Sequence, residues 1–218
     1  MEREIDLKTI SDGRLYDSGD MVKVGCNDCE GCSACCRGME STIILDPYDM
    51  WQFAAGPGAS FEQLLSEGKI ELNVVDGVVL PNLKLAGQGE SCAFLNADGR
   101  CSIHQYRPGI CRLFPLGRIY ENNSFRYFLQ VNECVKENRT KVKVKQWLGI
   151  PELKKYEAFI CDWHYFLKEL QEKMPKQQEE SRKEQSMKIL KLFYLVPWNP
   201  GSDFYEQFYR RLRMIRKG

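Results

Sequence analysis

Five cysteines fall within the thirteen residues CNDCEGCSACCRG, 26–38: Cys26, Cys29, Cys32, Cys35 and Cys36. Thiols this crowded have three uses: bonding one another, attacking a substrate, or holding a metal. A Cys-x2-Cys step brings two thiolates onto one ion from a tight loop and is the usual half of a zinc site. Here three such steps run in succession and a further cysteine follows directly. A single tetrahedral ion seldom takes four ligands so close in sequence, whereas Cys-x2-Cys-x2-Cys wraps a corner of a cubane in bacterial ferredoxins. The third step matches ferredoxins only in part, since it is x2 rather than x3 and lacks the following proline. Gly25, Gly31 and Gly38 around the loop suit backbone turning and close approach to a cluster. Adjacent Cys35 and Cys36 bridge each other only through a strained ring, which weighs against a disulfide.

Four more cysteines, Cys92, Cys101, Cys111 and Cys134, each sit near a turn or an element end. With Cys29, Cys32, Cys35 and Cys36 they make two sets of four. Ligation across these distances is expected to staple residues 26–134 together, so that metal binding is part of folding and the metal-free form is disordered there. Taken singly, Cys92 or Cys111, flanked by Phe94, Leu95, Leu113 and Phe114, reads as a small buried hydrophobe. Beside a five-cysteine loop, ligation is the stronger reading. Cys26 stays undecided. Cys161 and His164 have a spacing that suits chelation, but a helical cysteine beside a structural histidine is favoured.

Other chemistry is thin. With only His104 and His164, general acid–base catalysis has few agents, and GPGAS (56–60) lacks the lysine of a phosphate-binding loop. Arg107, Arg112 and Arg118 are expected around the metal region. There they would offset an all-thiolate site, whose four thiolates outweigh a divalent ion by two charges. Binding an anionic substrate is their alternative use. In the basic tail YRRLRMIRKG, the arginines are read as solvated, on a helix packed through Phe204, Tyr205, Phe208 and Tyr209.

The rest of the chain must position these groups. It has 218 residues, 43% of them hydrophobic, enough for one domain with a sizeable core. Lys plus Arg number 31 against 30 for Asp plus Glu, which argues against a broad nucleic-acid surface. MEREIDLKTI has no apolar leader, and the run LFYLVPW (192–198) is too short to span a membrane. A soluble, cytoplasmic protein is expected, with reduced thiols and metal ligation rather than disulfides.

Residues 1–25 read as irregular, and STIIL (41–45) as a short buried strand. Asp46 and Pro47 open one helix, and Ser60 caps a second over 60–68. IELNVVDGVVL (70–80) reads as a hairpin about Asp76-Gly77, and 118–131 as another about Asn122-Asn123. Arg107-Pro108 opens a helical turn carrying Cys111. Helices follow over 151–174, 176–196 and 203–218, the first with an apolar stripe of Tyr156, Phe159, Ile160, Trp163, Leu167 and Leu170. The expected fold is α+β. Residues 1–140 form a loop-rich, cysteine-ligated core of short strands and hairpins, and 141–218 a helical extension packed on it.

CEGCSACCR (29–37) followed by CAFLNADGRCSIHQYRPGICRLFP (92–115) resembles the YkgJ-type CxxCxxCC cysteine-cluster family, a zinc- or iron-chelating domain. The family's clustered loop, C-x-F-L, G-x-C-x-I and R-P-x-x-C-R-x-F-P fall on Cys29, Cys32, Cys35, Cys36, Cys92, Cys101, Cys111, Arg107, Pro108, Arg112 and Pro115, with Cys134 as last member. Departures are the additional Cys26, and His104 where the family more often carries an aromatic. The resemblance implies metal chelation, with an iron–sulfur cluster ([4Fe-4S]) favoured and zinc the runner-up. A similar cluster in flagellin lysine-N-methylases gives the one concrete enzymatic form, while a zinc-stapled interaction module is the non-catalytic one. Metal ions are the expected partners, with a protein partner on the C-terminal helices as a further possibility.

Overall fold

The structure is a computed structural model that describes residues 6–39, 42–86 and 91–217. Among the described residues the helices are α1 (Leu7–Ile10), α2 (Pro47–Ala55), α3 (Phe61–Ser66), α4 (Gly109–Leu113), α5 (Val144–Leu148), α6 (Leu153–Lys173), α7 (Glu179–Leu190) and α8 (Phe204–Lys217). The strands are β1 (Ser11–Tyr16), β2 (Met21–Gly25), β3 (Ile70–Val75), β4 (Val78–Leu83), β5 (Leu85–Ala86), β6 (Ser91–Cys92), β7 (Leu116–Glu121), β8 (Ser124–Gln130) and β9 (Thr140–Lys143). They form an antiparallel sheet in the order β1-β8-β7 and three separate ribbons, β2–β9, β3–β4 and β5–β6. The fold is α+β.

Both expected hairpins form about the turns whose residues favour them. Asp76 and Gly77 have φ of 48° and 85°, and Asn122 and Asn123 of 51° and 56°, as a tight turn with two left-handed residues requires. Helix α2 starts with a reciprocal cap: the Asp46 carboxylate accepts from Asp49 N–H at 3.0 Å, and the Asp49 carboxylate accepts from Asp46 N–H at 2.9 Å. Ser60 and Gln63 do the same for α3. The turn opened by Arg107-Pro108 becomes α4, with Cys111 in its middle.

Three expectations about the elements change. The irregular N-terminus is in fact α1, β1 and β2, because its strand partners lie more than a hundred residues away: Tyr16 pairs with Tyr127 and Met21 with Lys143. STIIL contributes a single bridge, Ile44 to Asn82, rather than a strand, and Ser41 lies outside the described residues. The helix expected over 176–196 begins at Glu179 and ends in a π-helical turn, Lys191–Leu195.

The core sits between α6, α8 and the π-turn. The expected stripe of α6 is buried throughout, joined by His164 and Phe166. Phe159 meets Phe204 and Phe208 edge-to-face at centroid distances of 4.9 and 4.7 Å, and Trp163 lies 4.9 Å from Phe193. The tail departs from the solvated picture at one residue. Arg211 is buried, stacked 3.7 Å over Trp198, and donates to the carbonyls of Leu192, Val196 and Pro197 at 2.7–2.9 Å. Carbonyls at the irregular end of the π-turn thus take a side-chain donor in place of a backbone one. Among the described residues no helix is long and apolar enough to cross a membrane.

Candidate metal centre

Strand β2 delivers the cysteine loop. A Cβ on Gly25 would collide with Thr140 Oγ1 of β9, so glycine here is a matter of close approach. Two single 3₁₀ turns follow, Asn27–Cys29 and Ala34–Cys36. The reversals between them use left-handed backbone at Asn27, Cys29 and Gly31, with Gly38 closing the loop. Cys26 Sγ and Cys29 Sγ stand 3.5 Å apart. All ten cysteines are free thiols.

The remaining thiols arrive by separate backbone devices. Arg37 bridges to Ser91, which sets the end of the loop beside Cys92 on β6. Asn96 closes a turn by accepting Arg100 N–H at 2.8 Å, and the Leu95–Cys101 bridge folds Cys101 back towards Cys92. Gly109 N–H donates to the buried Asp49 carboxylate at 2.8 Å, which ties α4 and Cys111 to α2. Cys35, Cys36, Cys92, Cys101 and Cys111 are thereby near enough for their charges to interact, with Cys29 joined through Cys35. Cys32 is tied to the same region by a backbone bond and Cys134 by the side-chain ammonium of a neighbouring lysine. Cys32 N–H bonds Cys29 C=O at 3.0 Å, and Lys136, two residues past Cys134, donates to Glu30 C=O at 3.0 Å. Among the described residues no three His, Cys, Asp or Glu side chains close to the spacing of a single ion.

The electrostatics fit a cation. Burial pushes the Cys92 and Cys101 thiols up, and pushes Cys111 well above its ordinary value, where Asp49 and the other cysteines add to the effect. Burial and the Cys26 contact raise Cys29 to about 12. In the vicinal pair their hydrogen bond raises Cys35 and lowers Cys36. Cations oppose this resistance to ionising: Arg107 beside Cys29, Cys35 and Cys101, and Lys69 beside Cys92. Thiols held together yet reluctant to ionise are donors whose repulsion a bound metal relieves, with release of their protons.

Sequence reasoning missed Lys69 and Asp49. Lys69 is fixed by a 2.9 Å bond to Ala93 C=O, and no local pattern marks it. Asp49 is an ordinary acid within a helix by sequence, and its bond to Gly109 is a tertiary contact. Arg118 lies away from the thiols, over the rings of Phe125 and Tyr156 and near Asp46. His104 is half-buried, with Nε2 2.8 Å from Arg107 Nη1. Cys161 donates to Asn123 C=O at 3.1 Å and His164 stacks 3.6 Å from Tyr120, so the two serve separate structural contacts.

Reduced thiols converging from several segments, flanked by cations, place the chain with the cysteine-rich metal chelators. The CxxCxxCC family model, described as a "Putative zinc- or iron-chelating domain", matches residues 28–143, more than half of the chain. The chain belongs to that family, and metal binding is the function the match supports. No curated protein and no solved structure matches it.

Proposed function

We propose that the protein holds an iron–sulfur cluster, [4Fe-4S] by preference, through thiolates drawn from Cys29, Cys32, Cys35, Cys36, Cys92, Cys101, Cys111 and Cys134. The observation that carries this reading is the shared charge environment of Cys35, Cys36, Cys92, Cys101 and Cys111, which come from distant segments. That is more thiols in one neighbourhood than one tetrahedral ion takes. Such a cluster supplies one-electron chemistry when bound. The residues of this chain collect the thiols, exclude solvent around Cys92 and Cys111, and supply positive charge from Arg107 and Lys69.

Zinc is the second reading, and one distance favours it. Two sulfurs on a tetrahedral zinc, each at about 2.3 Å, stand about 3.8 Å apart. The Cys26–Cys29 separation of 3.5 Å is close to that. In either case residues 1–140 are the metal-binding core. The 141–218 extension is held to it by bonds such as Trp147 Nε1 to Phe114 C=O at 3.2 Å and Tyr194 OH to Leu45 C=O at 3.0 Å. The free thiols support a reducing, cytoplasmic setting.

Strictly anaerobic purification, followed by iron, zinc and acid-labile sulfide analysis with visible absorption and EPR, tests the assignment. Iron and sulfide in comparable amounts are expected. Stoichiometric zinc with neither iron nor sulfide overturns the cluster.

A further inference from the structure

A pocket of about 530 Å³ opens next to the thiols, walled by Gln105, Tyr106, Arg107, Arg112, Gln146 and Trp147, among others. Its size is that of a small-molecule site. Two guanidinium groups form one side, and no Asp or Glu is among its described lining residues. Both are fixed in place. Arg112 donates from Nε to Arg107 C=O at 3.2 Å and from Nη2 to Gln105 C=O. Arg107 Nη1 donates to His104 Nε2 at 2.8 Å, since a guanidinium has no acceptor. Arg107 Nε is buried with no hydrogen-bond partner in the structure.

Two preorganised cations facing one cavity match a doubly charged oxyanion, and arginine's planar fork is the usual partner of phosphate. The cavity exceeds bare phosphate. Trp147, Tyr106, Gln105 and Gln146 also line it, aromatic rings and amides suited to an attached organic group.

We propose that this pocket binds a small phosphate monoester between Arg107 and Arg112, with its organic part against Trp147. The site is distinct from the proposed metal ligands and adjoins them at Arg107 and at Arg112, which follows Cys111 in α4.

Calorimetric titration of the metal-loaded protein at low salt, with AMP, ribose 5-phosphate, inorganic phosphate and uncharged adenosine as probes, tests this. Saturable one-to-one binding is expected for at least one monoester, tighter than inorganic phosphate and weakened by added salt, with no binding of adenosine. Gln146→Glu puts a negative charge on the rim while keeping the oxygen that accepts Lys143 N–H. It should weaken monoester binding about fivefold through like-charge repulsion, and Arg112→Gln should weaken it further. Absence of saturation by every phosphate probe, binding of adenosine equal to that of AMP, or unchanged affinity in Gln146→Glu overturns the proposal. Metal and sulfide are assayed on the same samples, so failure of the pocket and failure of the metal assignment register separately.

Discussion

The helical end and the thiol-bearing end of this molecule are built on opposite principles. In the former, Tyr156, Phe159, Phe193 and Phe208 are wholly buried and lock through edge-to-face rings. In the latter, no described side chain between Cys26 and Gly38 is fully buried, and the backbone repeatedly takes left-handed conformations. Ordering backbone costs about 1–2 kcal/mol per residue, which apolar burial normally offsets. The loop is only partly buried, and on the proposed function its bound metal supplies the rest of its order. The comparison teaches that one chain can carry a solvent-driven core and a ligand-driven one side by side.

Stripping the metal with a strong chelator should separate the two most sharply. Amide exchange should become fast through 26–38 and 92–111 while α6 and α8 stay protected; slow exchange in the stripped loop would break the comparison. Cys36→Ser should lower metal content severalfold, read by elemental analysis, with the far-UV helical signal largely retained. Phe159→Ala strikes the other end. It should cost about 3–5 kcal/mol in urea unfolding, as buried aromatic truncations do, with metal per folded molecule unchanged.

Arg211→Ala should cost about 2–4 kcal/mol by leaving buried carbonyls without their charged donor, again without metal loss. Arg211→Lys should recover only part of this, since an ammonium cannot reach three carbonyls and stack on Trp198 at once. The smallest effect concerns Asp46 at the seam between the regions. Burial raises its carboxyl from 3.8 to about 6 in the folded state. Folded molecules therefore hold more protons than unfolded ones from about pH 4 to pH 6, and this group's contribution to stability falls as pH rises through that window. Asp46→Asn, an equally good helix cap, should flatten the slope relative to wild type when urea midpoints are compared across that range.

What the sequence revealed follows the same division. Periodicity in α6, the helix start at Asp46-Pro47 and the Asp76-Gly77 and Asn122-Asn123 turns are local signals, and they read correctly. Strands β1 and β2 were missed because their hydrogen-bonding partners come from the distant β8 and β9; β1 buries only Tyr16, and the alternation of β2, at Val22 and Val24, is too short to stand out. The thiols were legible by spacing, and their gathering was expected from the crowding of the loop. The devices that gather them were not: the Arg37–Ser91 bridge, the Asp49–Gly109 bond and Lys69 beside Cys92 are tertiary contacts between residues of ordinary type. Arg211 misled for a related reason, since a charged residue in a basic tail reads as solvated until its carbonyl partners are known.

Gly25 faces Thr140 across the β2–β9 ribbon, and that pairing has a bearing on reversibility. The cysteine loop starts from the end of one rail of this ribbon and Cys134 lies shortly before the other, and neither rail needs an inorganic component. A molecule that has lost its ion keeps those rails together. Recapture then starts from a tethered excursion rather than an open strand of polypeptide, and the entropy of regathering the sulfurs is correspondingly smaller.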